Sequence, residues 1–169
     1  MIDESGFEAL YRRTAAPLRA YVARVIGSAA RADDIVQEAY LRLLRTPPPI
    51  DDPGQLRAYL FRTASNLIHD HWRQQQRERK SSEGGSSDPE TVNPDLALRL
   101  DMTRLFEQLR PQQRQLMWLA YVEGADHREI AAALGLRERS VRVLLHRARR
   151  KLATLLQERG AARETRDDR

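Results

Sequence analysis

Residues Arg128–Leu152, REIAAALGLRERSVRVLLHRARRKL, decide how this chain folds. Ala131, Gly135 and Val141 stand at the relative spacing of a helix-turn-helix, in which two helices cross steeply. Ala131 is small because the second helix passes close over it. Gly135 takes the left-handed conformation that a turn of three or four residues needs. Val141 anchors the second helix, joined by Leu144, Leu145, Ala148 and Leu152, while Ile130, Leu134 and Leu136 complete a small core.

The face left over is basic. Arg137, Arg139, Arg142, Arg147, Arg149, Arg150 and Lys151 crowd the second helix, with Glu138 its only acid. A recognition helix puts its N-terminal side chains into the major groove, which assigns Arg139, Ser140, Arg142, Val143 and His146 to base edges or nearby phosphates. Arg147, Arg149 and Arg150 lie further along and suit the DNA backbone. A solvated basic face on a structural hairpin is the plainer alternative, and the coincidence of turn signature with charge weighs against it.

Upstream of this motif, Leu98, Met102, Leu105 and Leu109 predict a helix stopped by Pro111. Pro111 also opens the next helix, with Leu116, Leu119 and Ala120 inward and Gly124 at its end. Before that lies Ser81–Asp95, SSEGGSSDPETVNPD, a Gly, Ser, Pro and acid stretch that predicts a flexible linker and a domain boundary. The last dozen residues are charged and predict a frayed tail.

The first half shows three helical periods. Phe7, Leu10, Leu18, Tyr21, Val22 and Val25 mark the first, broken at Gly27 and Ser28. The second is expected to carry Asp33 and Asp34 in its first turn, where the helix dipole favours carboxylates, and to bury Ile35, Val36, Ala39, Leu43 and Leu44. Thr46-Pro47-Pro48-Pro49 cannot continue it. Asp52 then caps a long helix that has Pro53 at its first position, runs to about Lys80 and buries Leu56, Leu60, Thr63, Leu67 and Ile68. No stretch alternates like a strand. The predicted fold is therefore all-α, with two small helical domains: residues 1–80, a linker 81–95, a helix-turn-helix domain 96–157 and a charged tail 158–169.

Composition agrees with two small units. Charged residues make up 31% of the chain and aromatic ones 6%, which does not advertise one large core. The net charge of +5 is carried almost wholly by Arg, whose planar fork pairs with phosphates and guanine edges. The chain has no cysteine, which excludes disulfides, Cys-ligated zinc and thiol catalysis. The acidic start and the lack of a long apolar run predict a cytoplasmic protein without membrane insertion.

His69-Asp70-His71 invites a metal reading that helix geometry opposes: residues two apart diverge by about 200°, so the imidazoles do not converge on one ion. No metal site, cofactor or catalytic residue is expected. Trp72, in a run of Arg and Gln, reads as a partly buried cap on the first domain or as a platform for an unpaired base.

Taken together, the two halves resemble the sigma factors of bacterial RNA polymerase, specifically the short extracytoplasmic-function type of the sigma-70 family. Ala32–Arg42, ADDIVQEAYLR, is similar to the polymerase-binding helix of the family's second region, and Leu56–Leu67, LRAYLFRTASNL, to its promoter-melting helix. Arg110-Pro111-Gln112-Gln113-Arg114 leads into the helix-turn-helix as the fourth region does. The resemblance implies that Asp34, Gln37, Glu38 and Arg42 grip a coiled coil on the largest polymerase subunit. It implies that Tyr59, Phe61, Arg62, Asn66, Asp70, Trp72 and Arg73 open the minus-ten element and hold its bases. Arg137 and the recognition-helix residues would then read the minus-thirty-five element. The further partners implied are the polymerase flap and an anti-sigma factor. Two departures stand out: a proline run at Thr46–Asp52, where the family has a polar loop that captures a base, and Arg137 and Arg139 in a turn that more commonly holds small residues. About fifteen linker residues span roughly 5–6 Å × √n, enough for the halves to bind separate surfaces or to close around an inhibitor. The competing expectations are a stand-alone helix-turn-helix regulator, which would bind its operator as a dimer without polymerase, and a nucleic-acid-processing enzyme, for which the only carboxylate cluster is Asp33, Asp34 and Glu38.

Overall fold

The computed structural model describes residues 2–81 and 102–167, the last five as backbone only, and every regular element among them is an α-helix. Helix α1, Glu4–Ile26, starts at Asp3, whose carboxylate accepts the Gly6 N–H at 2.8 Å, and stops at Gly27 with φ 80°. Helix α2, Ala29–Arg45, is capped by Ser28. Helix α3, Pro53–Ser81, begins where the Asp52 carboxylate accepts the Gln55 N–H at 2.8 Å.

The cap at Ser28 corrects one expectation. It starts α2 early enough that Asp33 and Asp34 fall in the second turn, and no acid lies in the first. Asp33 is instead held by Arg19 of α1 at 2.6 Å. The α2 stripe also turns slightly from the expected one: Ala32, Ile35, Ala39, Tyr40 and Leu43 are buried, Val36 is half-buried, and Leu44 is exposed. On α3, Phe61, Ala64 and Ser65 join the expected Leu56, Leu60, Thr63 and Ile68 in the interior, and Leu67 is half-buried.

The second half opens with α4, helical over residues 102–107, followed by α5, Pro111–Tyr121. Helix α6, His127–Leu134, carries a capping box in which Asp126 accepts the Glu129 N–H and Glu129 accepts the Asp126 N–H, each at 2.8 Å. Gly135 closes α6 with φ 65°, the left-handed conformation that the turn requires. Helix α7, Glu138–Asp167, follows. It runs through most of the expected 158–169 tail, and Ser140 sits within its first turn. The expected linker lies outside the described residues apart from Ser81.

The two halves do not stand apart. Leu116, Leu119, Ile130, Ala131, Ala133, Leu134, Val141 and Leu145 belong to the same buried cluster as the α1–α2–α3 core. Helix α6 packs on α3, and α5 packs on α1. Leu105, Leu109 and Leu155 form a separate small cluster between α4 and α7.

Candidate nucleic-acid and partner interfaces

The recognition helix has two faces of opposite character. Val141, Leu145 and Ala148 are buried at 0%, 5% and 0% exposure, which fixes its register. The 3.6-residue period then sends Arg139, Arg142, Val143, His146 and Arg150 into one outward arc, with Arg147 and Arg149 on its flanks. All seven are exposed, as is Arg137, while Ser140 is half-buried. His127, Arg137, Glu138, Arg139 and Arg142 line an open basin where the turn meets the two helices. His127 was not singled out by sequence; it reaches the basin as the first residue of α6.

On α3, Tyr59, Arg62, Asn66, Asp70 and Arg73 recur every three or four residues and form one stripe; Tyr59 is half-buried and the other four are exposed. Phe61 and Trp72 fall on a different face. Phe61 is 4% exposed, its ring 5.4 Å from that of Tyr21 and 4.7 Å below the Arg57 guanidinium. Trp72 is half-buried, its ring 6.0 Å from His69. The structure thus brings together five of the seven residues expected at the minus-ten element. The helix also separates the two histidines as the geometry requires: His69 faces Gln115, whereas His71 has a buried Nε2 without a hydrogen-bond partner. Burial, and then Arg31, lowers the His71 pKa from its ordinary value.

On α2, Asp34, Gln37 and Arg42 are exposed and Glu38 is half-buried, all on one face. Arg42 donates to Glu38 at 2.9 Å, an i,i+4 pair that orients both side chains outward from a single turn. Beside this face runs an apolar groove between α1 and α2, lined by Tyr11, Val36, Tyr40, Leu41 and Leu44 and rimmed by the Arg19–Asp33 pair. The bond to Asp33 raises the Arg19 pKa. Tyr40 donates to Thr14 Oγ1 at 2.6 Å, since that hydroxyl already donates to the Leu10 carbonyl, and so stays put below the groove. Both Tyr11 and Leu44 are about half exposed; Tyr11 was not singled out by sequence, and Leu44 was expected in the core. A second apolar groove, lined by Met102, Phe106, Met117, Trp118, Tyr121 and Val122, lies on α4 and α5. Tyr121 and Val122 are 56% and 59% exposed there. No helix among the described residues is long and apolar enough to cross a membrane.

Comparison with known proteins agrees with this layout. Residues 10–78 match the model of Sigma-70 region 2, and residues 99–152 match that of Sigma-70, region 4. The ECF RNA polymerase sigma factor SigL of Mycobacterium tuberculosis is 38% identical over 161 residues, covering 92% of this chain and 91% of the relative. Among solved structures, CnrH in complex with the cytosolic domain of CnrY aligns with TM-score 0.69 at 25% identity, over 92% of this chain and 90% of that one. The sigma factor RpoE bound to the anti-sigma factor NepR, from Bartonella quintana, has the same fold, with TM-score 0.75 at 23% identity over 89% and 96% of the two chains. A helix-turn-helix with an arginine-lined recognition face follows a three-helix unit bearing an outward carboxylate face. Both halves match their regions in order, and the chain belongs to the extracytoplasmic-function sigma factors of the sigma-70 family.

Proposed function

We propose that this sigma factor divides its work between three surfaces. Asp34, Gln37, Glu38 and Arg42 on α2 hold the coiled coil of the largest polymerase subunit, with the α1–α2 groove taking apolar side chains beside them. The α3 stripe of Tyr59, Arg62, Asn66, Asp70 and Arg73 meets the non-template strand of the minus-ten element. There an amide or carboxylate can read an exposed base edge, and a ring can replace a lost stacking neighbour. The outward arc of α7 reads the minus-thirty-five element as duplex, Arg139 and Arg142 at base edges and Arg147, Arg149 and Arg150 at phosphates. The groove on α4 and α5 suits an apolar segment such as the polymerase flap. All chemistry of RNA synthesis is assigned to the polymerase.

The reading extends to domain limits and regulation. Residues 1–80 would act as the polymerase- and minus-ten-binding unit and 96–157 as the minus-thirty-five unit. RpoE and CnrH were each solved bound to a partner, NepR and CnrY; by analogy, an anti-sigma factor would use the same α1–α2 groove.

The observation that carries this function is the opposition on α7 between buried Val141, Leu145 and Ala148 and exposed Arg139, Arg142, Val143 and His146. The test is co-elution of the protein with bacterial core RNA polymerase. A one-to-one complex that is lost in Asp34→Ala/Glu38→Ala is expected. Tight operator binding as a dimer, without any polymerase complex, would replace this reading with that of a stand-alone regulator.

A further inference from the structure

Helix α3 joins the seam between the halves through polar side chains: Arg57 pairs with Glu123, and His69 meets Gln115 at 3.0 Å. Ile68 is its last buried residue, and Trp72 is the last that is half-buried. The helix nevertheless runs on to Ser81, and every residue from Arg73 to Ser81 is exposed. At about 1.5 Å per residue this overhang carries α3 about 14 Å beyond its packed part. No core contact dictates its composition.

The overhang holds the cations Arg73, Arg77, Arg79 and Lys80 and one acid, Glu78. The helical period sorts them. Arg73, Arg77 and Lys80 follow one another at spacings of four and three, and the same spacings lead back from Arg73 to Asp70, Asn66 and Arg62. Three cations therefore continue the α3 stripe. Arg79 lies on the far side, and Glu78 is turned about 120° from Asn66, where Gln74 donates to it at 3.3 Å. Among the described residues none of the three stripe cations is held in an ion pair. The stripe also changes character along its length. Up to Asp70 it offers a ring, an amide and a carboxylate beside Arg62, groups that suit exposed bases. After Asp70 it offers only positive charge, which suits phosphates and carries no base information. Arg73 and Lys80 are about 10 Å apart along the axis. A paired strand advances about 3.4 Å per phosphate, so this length covers about three phosphates.

We propose that Arg73, Arg77 and Lys80 form a phosphate track for the paired DNA that adjoins the opened minus-ten element, with Asp70 and Arg73 at the border between single strand and duplex. The chain leaves α3 at Ser81 for the unit that reads the minus-thirty-five element, so the duplex on the track is the one on that side. This inference rests on the sigma-factor function proposed above.

The test uses the full chain bound to core polymerase and two labelled probes. One is a single-stranded non-template oligonucleotide carrying the minus-ten element; the other is the same strand with a duplex arm on the side of the minus-thirty-five element. Arg77→Ala/Lys80→Ala alters only exposed positions, and Ala favours the helix, so the fold is kept. Its affinity for the forked probe should fall at least about fivefold near 0.1 M salt, and the plot of log K against log salt should flatten by about 1.8, two phosphates' worth. Its affinity for the single strand should stay within about twofold. Arg79→Ala removes the same charge from the far side and should leave both affinities within about twofold. The proposal is overturned if the double variant loses as much on the single strand as on the fork, or loses nothing on the fork. It is also overturned if Arg79→Ala loses as much as the double variant, which would reduce the overhang to diffuse positive charge. A double variant that no longer co-elutes with polymerase would assign the overhang to the polymerase and overturn it too. If the parent protein binds no polymerase, the sigma-factor function itself fails, and the track with it.

Discussion

Val141 and Val143 lie two residues apart on α7 and offer the same chemistry on opposite faces, so truncating each to Ala tests the register of the recognition helix. Val141 is fully buried. Removing its two methyl groups forfeits roughly 1.6 kcal/mol of transfer energy at about 0.8 per carbon. The void left, on the order of 50 Å³, adds roughly 1 kcal/mol. Ala is the better helix former by about 0.6 kcal/mol, which brings the expected loss to about 2 kcal/mol. Val143 is 50% exposed, so its truncation should change stability by no more than about 0.5 kcal/mol. On DNA the order reverses. Val143→Ala should weaken binding to a minus-thirty-five duplex by about 1 kcal/mol, some fivefold, if its methyls meet a base. Val141→Ala should bind normally at temperatures where it remains folded. Urea unfolding followed by circular dichroism gives the first pair of numbers, and fluorescence anisotropy on the duplex gives the second. A Val143→Ala protein that is as destabilised as Val141→Ala would refute the register, and with it the assignment of Arg139, Arg142 and His146 to the groove.

Three further outcomes are expected. Arg149→Ala should weaken duplex binding about equally on all sequences and flatten the plot of log K against log salt by about 0.9, one phosphate's worth of counterions. Gly135→Ala should cost about 1 kcal/mol in urea unfolding: an added Cβ meets nothing within 4 Å, so only the strain at φ 65° remains. His71 has a folded-state pKa lowered from 6.5 by burial. The unfolded chain therefore binds more protons, and stability is present above the unfolded pKa and lost as pH falls below it. Unfolding midpoints between pH 7.5 and 5.5 should show a smaller decline in His71→Gln than in the parent protein.

The helix-turn-helix was legible because its residue types answer to backbone geometry. Gly135 stands where φ is positive and Ala131 where two helices approach, and neither depends on the rest of the molecule. The long helices were legible for a similar reason, since their apolar residues recur with the helical period. What escaped was set by contacts between elements. Gln115 is polar, so nothing in its sequence marks it as interior; it is buried because α1 and α3 lie against α5. Phe61 fell into the promoter group by its neighbourhood in the chain, yet it sits on the opposite side of α3 from the Tyr59–Asn66 face and is buried. Leu44 has the composition of a core residue, and only the packing of Ala32, Ile35, Ala39, Tyr40 and Leu43 against the neighbouring helices turns it outward. The continuation of α7 beyond 157 was also missed, because a charged segment shows no apolar period even when it is helical.

The polar character of the seam has a consequence for solubility. A joint sealed by leucine and phenylalanine alone would uncover two greasy surfaces on parting, each a target for aggregation. Here the separated faces carry groups that water can satisfy: the Tyr21 hydroxyl, Ser65, His69 and Arg57 on one side, and Gln115, Arg114 and Glu123 on the other. Parting the halves would exchange these hydrogen bonds for hydrogen bonds with solvent, while the apolar faces of Leu116, Leu119, Ile130 and Leu134 in the same cluster would still favour a closed joint.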